Sequence, residues 1–373
     1  MIEKLKCTLP SYSNHYEIEI HSDGLLTHQI PYLTTLASRF AIITDDQVAP
    51  LYGQQLHHSL SSSGLEVHLL SFPSGEHSKS RTTKEYLENQ LFEKGLGRDT
   101  CIIALGGGVV TDIAGYIAAT YCRGIPLVIM PTSLLGMVDA SIGGKTGINV
   151  PYGKNMLGCI YQPKKVVIDC STLKSLPEKE LANGVVEMIK HGIIADVIFF
   201  EYLDAYSTQL LSLDSNILTK AIFESCRIKK EIVEHDEKEN GKRRILNFGH
   251  TVGHALETLL DYSISHGEAV AIGMLVESYI AVELGMLSRG ESDRIREILV
   301  KYDLPLQLPC KFSIQKILEV MAIDKKSLSG LPRFVIIDQI GSVKEYNSNY
   351  CTHVENALLK KALIWMNDTF AKE

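Results

Sequence analysis

Five short apolar runs in the first half of the chain, each set off by helix-like stretches, limit the fold more than any other feature. They are Phe40–Thr44, Leu65–Phe72, Cys101–Leu105, Leu127–Met130 and Val166–Asp169. Between them lie helical patterns such as Thr83–Gly95 and loops rich in Gly, Ser and Pro. A strand with one wet face alternates polar and apolar residues, whereas a run that is apolar throughout needs cover on both faces. Such strands taking turns with helices predict a parallel, doubly wound, Rossmann-like α/β domain. From Glu180 to Val300 the texture changes, with Leu, Ile and Ala recurring three or four apart. That period predicts a mainly α-helical second half. Only Arg333–Ile337 reads as a later strand, before a last helix near Val354–Met366. Polar residues and a proline at Ser171–Pro177 mark the expected boundary, with an α/β domain over 1–177 and a mainly helical domain over 178–373.

The size agrees: 373 residues make two domains at roughly 100–200 residues each. A net charge of −7 argues against a broad basic surface for nucleic acid or anionic membrane. Eight cysteines without a C-x-x-C pair read as reduced thiols of a cytosolic protein rather than a disulfide frame. The start, MIEKLKCTLPSYSNHYEIEI, has no apolar signal run, and acidic residues break every later apolar stretch. A cytoplasmic protein without a membrane span is expected.

Three segments carry chemistry. The first, Leu105-Gly-Gly-Gly-Val-Val-Thr-Asp112, leaves a strand and opens a helix. Glycines let a backbone approach a ligand, and the free N–H groups of a helix start favour phosphate. The G-x-G-x-x-G dinucleotide pattern is broken at Thr111, so the turn alone is equally a tight strand–helix connection. Asp45, Glu76 and Lys79 stand at two upstream strand ends, where carboxylates suit a ribose and the lysine a pyrophosphate. The second segment runs from Pro131 through Asp139 and Lys145 to Asn149, followed by Gly153-Lys154-Asn155. Its glycine-flanked lysines suit anions. Its P-loop spacing fails, and its weak amphipathic period predicts an unpacked segment. The third is Asn247-Phe-Gly-His250-Thr-Val-Gly-His254 with His266-Gly-Glu268. His250 and His254 share a helix face at i, i+4, and His266 opens the next helix. Histidines with a carboxylate form a metal site that keeps a position open. Spacing leaves Glu187, Glu257 and Glu268 as alternative carboxylates, with Glu257 placed to orient His254. Lysines such as Lys190 and Lys229, and Arg243, are ordinarily solvated helix-surface charges.

In combination, ALGGGVVTDIAG, RGI at 123–125, PTSLLGMVDASIGGKTGIN, GKN, GVVEMIKHG, DEKENGKRRILNFGHTVGHALE, HGEAVAIGM and DKK closely resemble the 3-dehydroquinate synthase family, over about Thr44 to Lys326. Departures are PTS for PTT, DAS for DSS, and Lys242 where an apolar residue is usual. The resemblance implies an NAD- and divalent-metal-dependent (zinc or cobalt) homodimeric enzyme of the shikimate pathway. It turns 3-deoxy-D-arabino-heptulosonate 7-phosphate into 3-dehydroquinate and phosphate, by transient oxidation, phosphate elimination, reduction and aldol closure. It places the metal on Glu187, His250 and His266. NAD contacts fall on Asp45, Glu76, Lys79, Gly107, Gly108, Asp112, Thr132 and Ser133, with Asp139, Lys145 and Lys154 alongside. Substrate contacts fall on Asp139, Lys145, Asn155, Lys190, Lys229, Arg243, Asn247, His254 and Lys325, with Arg123 reaching in from a second subunit. A related sugar-phosphate cyclase or a metal-dependent polyol dehydrogenase is the alternative.

Overall fold

The computed structural model describes residues 15–24, 28–261, 263–323, 331–346 and 349–372. The strands in its first half are β1 (Glu17–His21), β2 (Arg39–Asp45), β3 (Glu66–Phe72), β4 (Thr100–Gly106), β5 (Leu127–Pro131), β6 (Lys145–Val150), β7 (Gly153–Ile160) and β8 (Lys165–Asp169). Six of them form one sheet in the order β1-β8-β5-β4-β2-β3, every pair parallel. All five expected strands are present, displaced by at most one residue at either end. Their side chains alternate between two cores: Phe40, Ile42, Ile103 and Leu105 enter one, while Ala41, Ile43, Ile102 and Ala104 enter the other. Both faces of β2, β4, β5 and β8 are covered, which is why those runs are almost wholly apolar, whereas the edge strand β3 carries Glu66, His68 and Ser71. The order reverses between β2 and β4, so a crevice opens there at the carboxyl ends of the strands, the usual ligand position in such sheets.

Two elements depart from expectation. β1, with sequence EIEIH, is an edge strand paired in register with β8 from Glu17↔Lys165 to His21↔Asp169. Its alternating charges conceal it from a search for apolar runs. The segment after Pro131, expected to be unpacked, is packed: a π-helical turn over Gly136–Ala140 buries Met137 and Val138, and β6 pairs antiparallel with β7.

Helices α1 (Ile30–Leu33), α2 (Gln54–Ser62), α3 (Arg81–Glu93) and α4 (Gly108–Thr120) accompany the sheet. The helical half follows as expected, with α5 (Glu178–Ala195), α6 (Val197–Ala205), α7 (Ser207–Leu211), α8 (Ser215–His235), α9 (His250–Leu259), α10 (His266–Glu283), α11 (Arg289–Lys301), α12 (Ile314–Ile323) and α13 (Asn356–Phe370). The late strand lies further along than expected: a short β9 (Ile337–Gln339) pairs with β10 (Ser342–Val343), and Phe334 makes only an isolated bridge to Thr352.

α10 is the hub of the helical half. It is buried nearly all round and packs against α5, α9, α11 and α13. Its start is set by a capping box: Ser265 Oγ accepts from Glu268 N, and the Glu268 carboxylate accepts from Ser265 N, satisfying two otherwise orphaned donors. This makes His266 the first residue of the helix and occupies Glu268 in the cap. Among the described residues, no helix is long and apolar enough to cross a membrane.

Candidate active site

The carboxyl ends of the strands hold most of the residues marked in the first half. Asp45 ends β2, and its Oδ1 accepts from the backbone N–H groups of Gln47 and Val48 at 3.0 and 2.9 Å. Burial raises its pKa against those two hydrogen bonds. Gly107 caps α4 and Gly108 begins it, directly after β4. Thr132 and Ser133 follow β5, and Thr132 N donates to Gly106 O at 3.0 Å. Lys79 is buried and forms an ion pair with Asp112 of α4. Glu76 accepts from Asn149 Nδ2 at 2.7 Å and lies 3.8 Å from Lys154 Nζ. Asn155 is exposed, with φ of 54° and its backbone N–H on Asn149 Oδ1.

The helical half supplies the facing wall. Lys190 and Lys229 are not the solvated helix lysines of ordinary expectation: both are buried, Lys190 against Glu187 and Lys229 2.5 Å from Asp139 Oδ1. Burial opposes ionisation of Asp139, yet Lys229 and Lys190 hold its carboxyl well below the usual range. Arg243 is 1% exposed and donates to Gly143 O and Glu237 O. Gly143 has φ of +94°, and a Cβ there would stand 2.4 Å from Arg243 Nη2, so only glycine lets the loop close over the guanidinium. Lys145 Nζ lies 2.5 Å from Glu239 Oε2, and Asn247 Nδ2 donates to Glu239 Oε1 at 2.7 Å. Glu239 was not singled out from sequence. It sits in the charged run DEKENGKRR with φ of 59°, and such a run reads as a solvated turn until Lys145 is brought to it from 94 positions away.

Three helices converge on Glu187. Glu187 of α5 is fully buried, and its Oε1 makes no hydrogen bond. That oxygen faces Nε2 of His250 and Nε2 of His266, each at 3.6 Å. His250 Nδ1 meets the Phe248 carbonyl at 3.1 Å, and His266 Nδ1 faces Glu257 at 3.5 Å. Burial disfavours the His266 imidazolium, but Glu257 and Glu187 more than offset this and push its pKa up to about 10. The pocket therefore favours positive charge at that point, which a proton or a metal ion supplies. An orphaned carboxylate oxygen and two imidazole nitrogens facing one spot fit a divalent cation with open positions. Among the described residues two other groups also have ligand atoms within 4.8 Å of one another, His254 with Glu257 and His266, and Asp139 with Glu187 and His191.

His254 lies one turn along α9, its ring centroid 5.5 Å from that of His250. Glu257 is turned toward His266 and Lys154, and His254 also has a ligand nitrogen within 4.8 Å of the Glu257 carboxylate. Arg123 is exposed before β5, at the opposite end of that strand from Thr132. Lys325 and Lys326 lie outside the described residues.

Residues 69–183 match the family described as 3-dehydroquinate synthase N-terminal, and residues 184–327 the one described as 3-dehydroquinate synthase C-terminal. The 3-dehydroquinate synthase of Thermodesulfovibrio yellowstonii is 43% identical over 345 residues, 92% of this chain and 96% of that protein. That of Prochlorococcus marinus is 39% identical over 96% of this chain and 99% of its own. Among solved structures, 2-epi-5-epi-valiolone synthase from Streptomyces hygroscopicus, with NAD+ and Zn2+ bound, superposes with a TM-score of 0.88. It shares 27% identity over 97% of this chain and 99% of that one. A 2-deoxy-scyllo-inosose synthase complexed with carbaglucose-6-phosphate, NAD+ and Co2+ gives 0.85 at 25% identity, over 93% and 95% of the two chains.

Proposed function

The chain belongs to the 3-dehydroquinate synthase family, and we propose that it converts 3-deoxy-D-arabino-heptulosonate 7-phosphate to 3-dehydroquinate and phosphate. The observation that carries this reading is the approach of two imidazole Nε2 atoms to the orphaned Glu187 oxygen, beside buried lysines and an arginine suited to a doubly anionic substrate. We assign zinc or cobalt to Glu187, His250 and His266. NAD is assigned to the sheet edge from Asp45 and Glu76–Lys79, across Gly107–Asp112, to Thr132–Ser133. The nucleotide and metals bound in the two cyclase structures support the same pair here. When bound, the ion supplies Lewis acidity toward a substrate hydroxyl, and the nicotinamide a reversible store for a hydride.

The chain's own part is to bind and orient. Lys190, Lys229 and Arg243 hold the carboxylate end, while Lys145, Arg243 and Asn247, with Asn155 and Lys325, take the phosphate. Each described cation already has a carboxylate or carbonyl partner, so substrate binding exchanges one anionic partner for another. His254 stands beside His250, where its imidazole is placed to accept a proton from the substrate or return one to it. The departing phosphate is itself basic enough to take the proton of the elimination, leaving the protein to position charge.

We take the working form to be a cytoplasmic homodimer, with the α/β part ending near residue 177. Arg123 reaches a neighbour's site in this reading, with which its exposure is consistent. Mixed dimers of Arg123→Ala and Lys190→Ala chains then recover activity that neither homodimer has, and no recovery in verified heterodimers sinks the assignment. The activity itself is tested by incubation with the heptulosonate phosphate and catalytic NAD. Stoichiometric phosphate release without NADH accumulation, abolished by a chelator, is expected. Sustained NADH accumulation would instead identify a polyol dehydrogenase.

A further inference from the structure

Glu257 is only 2% exposed, and a carboxylate is costly to bury unless cations or donors surround it. Its Oε1 lies 2.9 Å from Lys154 Nζ and 3.5 Å from His266 Nδ1. These neighbours come from separate parts of the chain. His266 opens α10, and Lys154 stands on β7, where it also faces Glu76 at 3.8 Å. A continuous series of charged contacts thus runs from Glu76 at the sheet edge through Lys154, Glu257 and His266 to Glu187.

An imidazole that turns one nitrogen toward a metal carries its proton on the other, and an acceptor at that second nitrogen fixes both tautomer and ring orientation. For His250 the acceptor is the Phe248 carbonyl. For His266 the group in that position is Glu257. We propose that Glu257 is a positioning residue, which accepts the Nδ1 proton of His266 so that Nε2 stays turned toward Glu187, and which Lys154 in turn holds in place from the nucleotide side of the cleft. This rests on the metal assignment above. It gives His266 an orienting partner that its position at the first turn of α10 does not otherwise supply.

The test uses wild type, Glu257→Ala, Glu257→Gln and His266→Ala, stripped of metal and titrated with zinc against a chromophoric chelator. The melting temperature of each metal-free protein and the visible spectrum of its Co2+ form are recorded alongside. Removing such an orienting carboxylate typically costs roughly 10–100-fold in metal affinity. We expect that loss in Glu257→Ala with a changed Co2+ spectrum, and a smaller loss in Glu257→Gln, which keeps an acceptor oxygen but not the charge. Should Glu257→Ala fail to fold, the isosteric Glu257→Gln decides alone. Zinc affinity and Co2+ spectrum unchanged from wild type in the folded variants overturn the proposal while leaving the metal site standing. Wild-type zinc affinity in His266→Ala, or no zinc binding by wild type, overturns the metal assignment and this proposal with it.

Discussion

The seat of α9 on α10 makes a demanding test of the site. Gly249 precedes α9 with φ of +79°, and Gly273 lies beneath it in α10. A Cβ added at Gly273 would stand 1.9 Å from the Gly249 carbonyl oxygen and 3.1 Å from Gly253 N. Restoring an ordinary contact near 3.5 Å requires α9 to lift by roughly 1.5 Å at that point. Both obstructing atoms are backbone, so no rotamer change relieves the overlap. Overpacking of this kind costs about 1–3 kcal/mol, against which alanine returns up to about 1 kcal/mol of helix propensity. The net loss in Gly273→Ala is therefore modest for the fold and severe for the site. A metal site tolerates roughly 0.2 Å in its ligand distances, and His250, one residue from Gly249, moves several times that. The expected outcome is a melting temperature lowered by a few degrees, zinc well below one per chain after dialysis, and turnover near background. Gly290→Ala is the control, since its Cβ meets nothing within 4 Å, and its stability and metal content should match wild type. If Gly273→Ala holds a full complement of zinc and remains active, α9 is not seated on α10 as described.

Other outcomes follow from the same geometry. His250→Ala and His266→Ala should lose metal and activity together, whereas His254→Ala should lose most activity yet keep close to one metal per chain. Metal analysis after dialysis that finds His254→Ala depleted and His266→Ala loaded would favour the helix-pair ligands instead. Lys190→Met takes from a fully buried Glu187 its nearest cation, leaving it the imidazoles of His250 and His266 at 3.6 Å. Losing one member of a buried pair costs about 3–5 kcal/mol, so urea unfolding of the metal-free variant should show that loss and added zinc should recover much of it, while an unchanged midpoint refutes it. Burial lowers the pKa of His191 from 6.5 to about 3. The unfolded chain then binds the proton first, so acidification destabilises the fold between those limits by up to about 1.4 kcal/mol per pH unit. His191→Gln, which retains a hydrogen-bonding group toward Ser225, should flatten the dependence of stability on pH over that window, and an unaltered slope means that His191 is charged in the folded protein.

How much of this was legible in the sequence depended on the period involved. Runs such as Cys101–Leu105 needed only cover on both faces, and the strands stand within a residue of where the runs lie. Helices such as α8 and α11 were equally readable, because burial on one side repeats every three or four residues. β6 and β7 were not, since their sequence, KTGINV and GKNMLGCI, is rich in glycine and polar residues. Backbones approach closely there: a Cβ at Gly158 would stand 1.9 Å from Thr146 O. At the site, spacing could pair His250 with His254 but could not see that both imidazoles of His250 and His266 face a carboxylate on α5. Nor could it show that Glu257 turns to His266. Those relations are tertiary, created by three helices meeting, and family resemblance supplied what periodicity could not. Glu239 lay in a quoted motif yet acquired its meaning only beside Lys145 and Asn247.

The position of β1 bears on how the chain is made. Glu17 pairs with Lys165, about 150 residues later, while β2, β3, β4 and β5 pair among themselves over shorter separations. At synthesis rates of roughly 5–20 residues per second, this strand is made roughly 7–30 seconds before its partner exists. For that interval the nascent chain carries an unpaired strand, and its alternating Glu17, Glu19 and His21 are poor substrates for the wrong pairing. The charges that hide β1 from a search for apolar runs thus also protect it during the wait for β8.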